Sequence, residues 1–302
     1  MTERGAMVAG ILERLGRGEI LVADGAFGTQ LQQRGLPSGH CPEEFNVSHP
    51  EVVQAIYRDY YTAGSDFVST ASFGGTRPRL AAHGAGDRVR EFSCKAAELA
   101  RAVCPAGRFV AGSIGPTGEL LEPFGLFSER EAYDVFAEQA AALAEGGVDF
   151  IIIETMMAGQ EAQIAVRAAK EATRLPVAAT MTFEGKNDQY RTSWGVSIQE
   201  AADSLTQAGA EMVGANCGLG FDQMLNIVKQ MRPVTPLPIV AQANAGLPQW
   251  IDGRTVYTET PETMAPKIEA LLQAGVNIIG GCCGTTPAHI AKVREIVDKF
   301  RS

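Results

Sequence analysis

Along the whole chain, short apolar runs alternate with longer stretches in which apolar residues return every three or four positions. The short runs predict strands at Ile20–Ala23, Asp66–Thr70, Phe109–Ser113, Phe150–Thr155, Val177–Thr182, Met212–Cys217, Ile239–Ala243 and Asn277–Cys282. The longer ones predict helices at Pro50–Ala63, Val89–Val103, Ser128–Glu145, Gln160–Thr173, Gln199–Ala208, Phe221–Met231, Pro261–Ala274 and Pro287–Phe300. Within Gln160–Thr173, Ala162, Ala165, Val166 and Ala169 fall on one helical face. The strand runs are apolar almost throughout rather than alternating, as expected of strands covered on both faces.

Four helix-to-strand junctions repeat one another: Ala63-Gly64-Ser65-Asp66, Gly146-Gly147-Val148-Asp149, Ala208-Gly209-Ala210-Glu211 and Ala274-Gly275-Val276-Asn277. Glycine supplies the left-handed residue that ends a helix, and the polar residue opens the next strand. Strand and helix in eightfold alternation is the pattern of an α/β (β/α)8 barrel (a TIM barrel); an open doubly wound sheet is the alternative. No Pro-, Gly- or Ser-rich linker divides the sequence. Its 302 residues therefore read as a single barrel domain over positions 1–302.

Composition narrows the function classes. With 26 basic against 35 acidic residues the chain carries a net −9, which argues against nucleic acid and against anionic membranes. No run of 18 apolar residues occurs, so no membrane span is expected. The first nineteen residues have charges inside their short apolar run and do not read as a secretory signal. The expected compartment is the cytoplasm, where thiols stay reduced, and the six cysteines then need an explanation other than disulfides.

The barrel reading sorts the candidates, because chemistry in this fold sits at the C-terminal ends of the strands. Asp24 follows the first strand, Ser69 and Thr70 close the second, Glu154 the fourth and Cys217 the sixth. Asn244 follows the seventh, and Cys282-Cys283 ends the eighth. Cys41, Cys94 and Cys104 are scattered elsewhere. Adjacent cysteines ordinarily point to opposite sides of a strand, so both can bind one ion only across a backbone bend, which Gly280, Gly281 and Gly284 permit. Three buried packing cysteines are the alternative. A closed structural zinc site would show a fourth Cys or a His nearby, and the histidines at 40, 49, 83 and 289 do not supply one. Three thiolates with an exchangeable fourth position make a soft, electron-rich zinc site that suits a sulfur ligand better than water. A coordinated thiol is deprotonated yet still nucleophilic, which points to alkyl transfer onto sulfur. A non-catalytic zinc-binding or redox-sensing protein would use the same cysteines.

Taken together, the segments Asp24-Gly25-Ala26-Phe27-Gly28-Thr29, Ile153-Glu154-Thr155, Ala215-Asn216-Cys217-Gly218-Leu219-Gly220, Asn244-Ala245-Gly246-Leu247-Pro248 and Gly280-Gly281-Cys282-Cys283-Gly284-Thr285-Thr286-Pro287 resemble the homocysteine S-methyltransferase family. The fourth and third strings are most similar to the homocysteine-binding module of cobalamin-dependent methionine synthase. The resemblance implies a zinc ion on Cys217, Cys282 and Cys283, with Asn244 as an interim fourth ligand. It implies homocysteine held through its ammonium by Asp24 and Glu154 and through its carboxylate by the backbone N–H groups of Gly25 and Ala26, with Ser69 and Thr70 at the same mouth. Methionine would be the product. The methyl donor would be a methylcorrinoid such as methylcobalamin, brought by a corrinoid partner protein, since no histidine has Asp two positions before it to form the family's cobalamin loop. The betaine branch carries tyrosine after the strand-four glutamate, where this chain has Thr155. Thr70-Ala71-Ser72-Phe73 leans instead toward the S-methylmethionine or S-adenosylmethionine branch. A component of a catabolic corrinoid-linked demethylase stays open as well.

Overall fold

The computed structural model describes residues 10–301 apart from 187–188, 219 and 252–253. Leu219 of the third string and the first nine residues of the leader reading lie outside the described residues.

Eight parallel strands build the barrel: β1 (Leu21–Val22), β2 (Phe67–Ser69), β3 (Phe109–Ile114), β4 (Phe150–Met156), β5 (Val177–Met181), β6 (Met212–Cys217), β7 (Ile239–Ala243) and β8 (Ile278–Gly281). They pair in the order β1-β8-β7-β6-β5-β4-β3-β2. The predicted strands and long helices are all present, with ends that move by one or two residues. Strand burial explains why the apolar runs were legible, since every residue of β3, β5, β7 and β8 is buried. Inside the barrel, Leu21, Phe67, Phe109, Phe150, Met212 and Ile278 meet in one apolar cluster that Ile11 and Leu15 of the short helix Ile11–Gly16 complete. Phe67 and Phe150 pack edge to face at 5.1 Å. This floor closes the N-terminal end, so any ligand enters from the other.

Among the described residues, no backbone ladder joins β1 to β2. Asp66 closes that seam with both its side chain and its backbone N–H. The Val22 N–H donates to the Asp66 carboxylate at 2.8 Å, and the Asp66 N–H donates to the Val22 carbonyl at 2.6 Å. Asp66 is 1% exposed and pairs with Arg14, Arg108 and Arg294. The other repeated junctions do the same job. Asp149 accepts the Val110 N–H at 2.7 Å, Glu211 the Val177 N–H at 2.8 Å and Asn277 the Ile239 N–H at 2.9 Å. Each also meets a basic side chain, Arg101, Lys170 and Arg232 respectively. The junction glycines Gly64, Gly147, Gly209 and Gly275 all have φ between 90° and 104°, which L-residues rarely adopt. The sequence repeat is thus a ring of four braces under the barrel.

Two antiparallel hairpins stand on the opposite face, pairing Glu184–Lys186 with Gln189–Arg191 after β5 and Gln249–Ile251 with Arg254–Val256 after β7. Strands of three residues carry too little periodicity to be read from sequence.

Candidate functional site

The strand ends converge on one cavity of about 420 Å³, lined by Asp24, Ser69, Thr70, Glu154, Cys217, Cys282 and Cys283 among others. That is within the usual range for a small-molecule site.

Asp24 extends the β1–β2 seam upward. Its carboxylate accepts the Ser69 N–H at 2.7 Å and the Ser69 hydroxyl at 3.3 Å. Burial pushes the Asp24 carboxyl up to about 8; the Ser69 bonds oppose this and the nearby Glu154 charge adds to it. Glu154 accepts from the Ser113 hydroxyl and, at 3.4 Å, from the Asn216 amide. Burial raises its carboxyl to about 7 against the Ser113 bond. Two carboxyls held near neutrality in one cavity form a receptor for a cation, whose arrival would favour both charged forms.

Ser69 therefore serves Asp24. Thr70 likewise faces inward to its neighbours: its hydroxyl pairs with Ser72 at 2.7 Å and accepts the Ser113 N–H at 3.0 Å. Gly25 and Ala26 both line the cavity, and the Ala26 N–H donates to the Thr285 hydroxyl at 3.0 Å. A Cβ at Gly25 would lie 2.6 Å from the Thr285 hydroxyl and 3.0 Å from that of Tyr60, so this position admits glycine because its neighbours press on it.

The same cavity is lined by three thiols. Cys217 ends β6 with φ of 60°, a left-handed turn that takes its side chain out of the strand alternation. Past β8, the Thr285 N–H and hydroxyl both donate to the Cys282 carbonyl, at 3.1 and 2.7 Å, and Gly284 has φ of 81°. This is the bend that adjacent cysteines require. The three sulfurs lie within 4.8 Å of one another, with Cys217 Sγ and Cys283 Sγ 4.0 Å apart. Tetrahedral zinc with Zn–S bonds of ~2.3 Å separates its sulfurs by about 3.8 Å, so the donor set fits the ion. Hydrogen bonds from the Cys282 and Cys283 thiols hold Cys217 well below an ordinary thiol, down to about 3. Asn244 is 4% exposed; its amide donates to the Gly218 carbonyl at 3.1 Å, and its Oδ1 is buried without a partner. An orphaned carbonyl oxygen beside three thiols is consistent with the fourth-ligand expectation. The remaining cysteines, Cys41, Cys94 and Cys104, stand outside this cluster.

In the segments beyond the strand ends, Arg77 pairs with Glu138 and Arg191 with Glu200, which makes them surface ion pairs. Trp250 is 77% exposed, and Trp194 packs edge to face on Phe124 at 5.8 Å. Phe73, Leu120, Leu126 and Leu247 are exposed as well; they sit with these rings on the loops that follow β2, β3, β5 and β7. Of these, Phe73 lines the cavity. Sequence reasoning missed Ser113, Thr285 and Asn216, whose roles arise from contacts across the barrel.

Residues 21–297 match the family model described as homocysteine S-methyltransferase. The chain is 33% identical to methionine synthase of Mycobacterium tuberculosis (strain ATCC 25618 / H37Rv) over 93% of its own length, but spans only 25% of that protein. It is 32% identical to betaine–homocysteine S-methyltransferase 1 of Rattus norvegicus, covering 95% of this chain and 74% of that one. Among solved structures, the metallated form of the homocysteine methyltransferase MmuM from Escherichia coli superposes with a TM-score of 0.77 at 25% identity, over 93% of this chain and 97% of that one.

Proposed function

Because the chain belongs to the homocysteine S-methyltransferase family, we propose that it transfers a methyl group to the sulfur of homocysteine and so forms methionine. The observation that carries the reading is one cavity lined both by three thiols and by two carboxyls raised toward neutral pH. An α-amino thiol matches both.

In this reading Cys217, Cys282 and Cys283 hold zinc, with Asn244 as the exchangeable fourth donor. Zinc supplies one thing, a thiol deprotonated at neutral pH that remains nucleophilic. The protein supplies position. Asp24 and Glu154 take the ammonium, Ser69 and Ser113 hold those carboxylates in place, and the Gly25 N–H receives the substrate carboxylate. The thiol sulfur forms its bond to the methyl carbon as the donor's bond to that carbon breaks, so no base is needed at carbon. Residues 1–302 act as one homocysteine-binding barrel, and its reduced thiols suit the cytoplasm. No helix among the described residues is long and apolar enough to cross a membrane.

For the donor we favour a methylcorrinoid, carried by a separate corrinoid protein or by further domains. Thr155 offers no ring beside Glu154 to cage a quaternary ammonium, and the exposed apolar side chains on the loops after β2, β3, β5 and β7 suit a large planar donor. A sulfonium donor, S-methylmethionine or S-adenosylmethionine, is the second reading, favoured by the Thr70-to-Phe73 segment at the same mouth. The test is to incubate zinc-loaded protein with homocysteine and, separately, methylcobalamin, S-methylmethionine, S-adenosylmethionine or betaine, and to follow methionine. Methylcobalamin is expected to outpace betaine at least about tenfold, which is ~1.4 kcal/mol of barrier. Turnover with betaine alone overturns the donor assignment; methionine from none of the four overturns the reaction.

A further inference from the structure

β4 is interrupted where the cavity needs it. Its register with β5 runs to Ile153–Ala179 and resumes at Met156–Met181. Glu154 and Thr155 therefore stand against the single residue Thr180. Phe150 and Ile152 face the barrel interior, so alternation already carries Glu154 to the cavity; the bulge stops that alternation there, bringing Thr155 to the cavity as well and returning Met156 to the outer apolar layer. Thr155 absorbs the bend with φ of 62°, a conformation that a β-branched residue adopts only under constraint.

The constraint is the side chain of Asn216. Its Oδ1 accepts the Thr155 N–H at 2.8 Å and the Thr180 hydroxyl at 2.7 Å. Its Nδ2 donates to Thr155 Oγ1 at 2.7 Å and to Glu154 Oε2 at 3.4 Å. The residue is 1% exposed. The carboxamide thus occupies the gap that the bulge opens in the ladder, touching both bulged residues and the one facing them. Only a group with both acceptor and donors makes all four contacts. A carboxylate would keep the first two, lose the donors and set a second negative charge against Glu154.

We propose that Asn216 is a positioning residue for the amino group of the substrate. It holds the bulge in its left-handed form beside Glu154 and steadies the Glu154 carboxylate through its own amide. The proposal rests on the amino-thiol reading above, and it separates the support of Glu154 from the metal ligands, although Cys217 is next in the chain.

Zinc-loaded wild type, Asn216→Ala and Asn216→Asp are compared by calorimetric titration with homocysteine and with 4-sulfanylbutanoate, the same thiol without the amino group, alongside zinc content. Both variants are expected to retain zinc and to bind homocysteine about tenfold more weakly, with 4-sulfanylbutanoate changed by less than about twofold. Adding Thr155→Gly to Asn216→Ala should recover part of the homocysteine loss, because glycine takes a positive φ unaided. Equal loss of both thiols, loss of zinc, or unchanged homocysteine binding overturns the proposal. Wild type that binds the two thiols equally overturns instead the amino-thiol reading beneath it. Asn216→Asp is nearly isosteric, so it keeps the test decisive should the alanine variant fail to fold.

Discussion

The Asp24–Glu154 pair makes the affinity for an amino thiol depend on pH in a way that can be worked out. Burial raises Asp24 to about 8 and Glu154 to about 7. At pH 6 Glu154 is then neutral by roughly ten to one and Asp24 by roughly a hundred to one; at pH 8 Glu154 is roughly ten to one ionised and Asp24 half ionised. An ammonium that needs only Glu154 ionised gains about tenfold in affinity between pH 6 and 8, and one that needs both gains several hundredfold. The thiol also loses its proton on binding zinc, so the comparison must remove that contribution. Calorimetric titration at pH 6, 7 and 8 with homocysteine and with 4-sulfanylbutanoate does so, because both bring a similar thiol and only one brings an ammonium. The ratio of the two affinities should rise with pH by a factor in that range, and Asp24→Asn should reduce the rise to about tenfold. A ratio that stays level from pH 6 to 8 refutes the reasoning. The same shifts bear on stability. Both folded-state pKa values lie above their unfolded values near ~4, so the stability they contribute is complete below about pH 4 and is lost as pH rises through 7 to 8. The ligand-free protein should accordingly melt at a lower temperature at pH 8 than at pH 5.

Replacing Cys282 by Ala should abolish zinc retention, measured by elemental analysis, and methyl transfer with it, while the far-ultraviolet dichroism stays unchanged because the barrel has its own core; full activity of zinc-free variant would defeat the metal assignment. Asp66→Ala strands three arginines and the buried Val22 N–H. It should cost about 3–5 kcal/mol and lower the melting temperature by of order 10 °C. Asp66→Asn, which keeps an acceptor for Val22, should cost less, and equal losses would show that the N–H bond contributes nothing.

Most of the fold was legible because parallel strands buried on both faces leave apolar runs, of which residues 150–153 at the start of β4 are an example. The three-residue hairpin strands were not, nor were short helices such as Arg77–Ala81, since neither is long enough to show a period. In the site, the cysteines and the two carboxylates could be placed because a barrel gathers its strand ends. Their partners could not. The Thr285 hydroxyl takes up the amide of Ala26 from 259 positions away, and nothing local to Asp24-Gly25-Ala26 announces it. Asn216 stood inside a recognisable string, yet its work is done on Glu154 and Thr155, more than sixty residues earlier. The four junctions were visible as a repeat, but the N–H that each one caps lies on another strand.

Those braces also divide the molecule into quarters. In each brace one basic partner precedes the odd strand, as Arg14 precedes β1, Arg101 β3, Lys170 β5 and Arg232 β7, and the acceptor opens the even strand that follows. Each quarter therefore carries its own fastening, and Asp66 is also reached from outside its quarter, by Arg108 just before β3 and by Arg294 from the last helix. Boundaries between quarters fall just after the even strands. A chain severed between Met157 and Ala158, after β4, should yield two halves that reassemble on co-expression, each with its two fastenings intact. A cut at Gly125, between β3 and β4, parts Asp149 from Val110 and should not be rescued. If both pairs of fragments assemble equally well, the quarters have no mechanical meaning. If only the first does, they are units from which such a barrel can be put together.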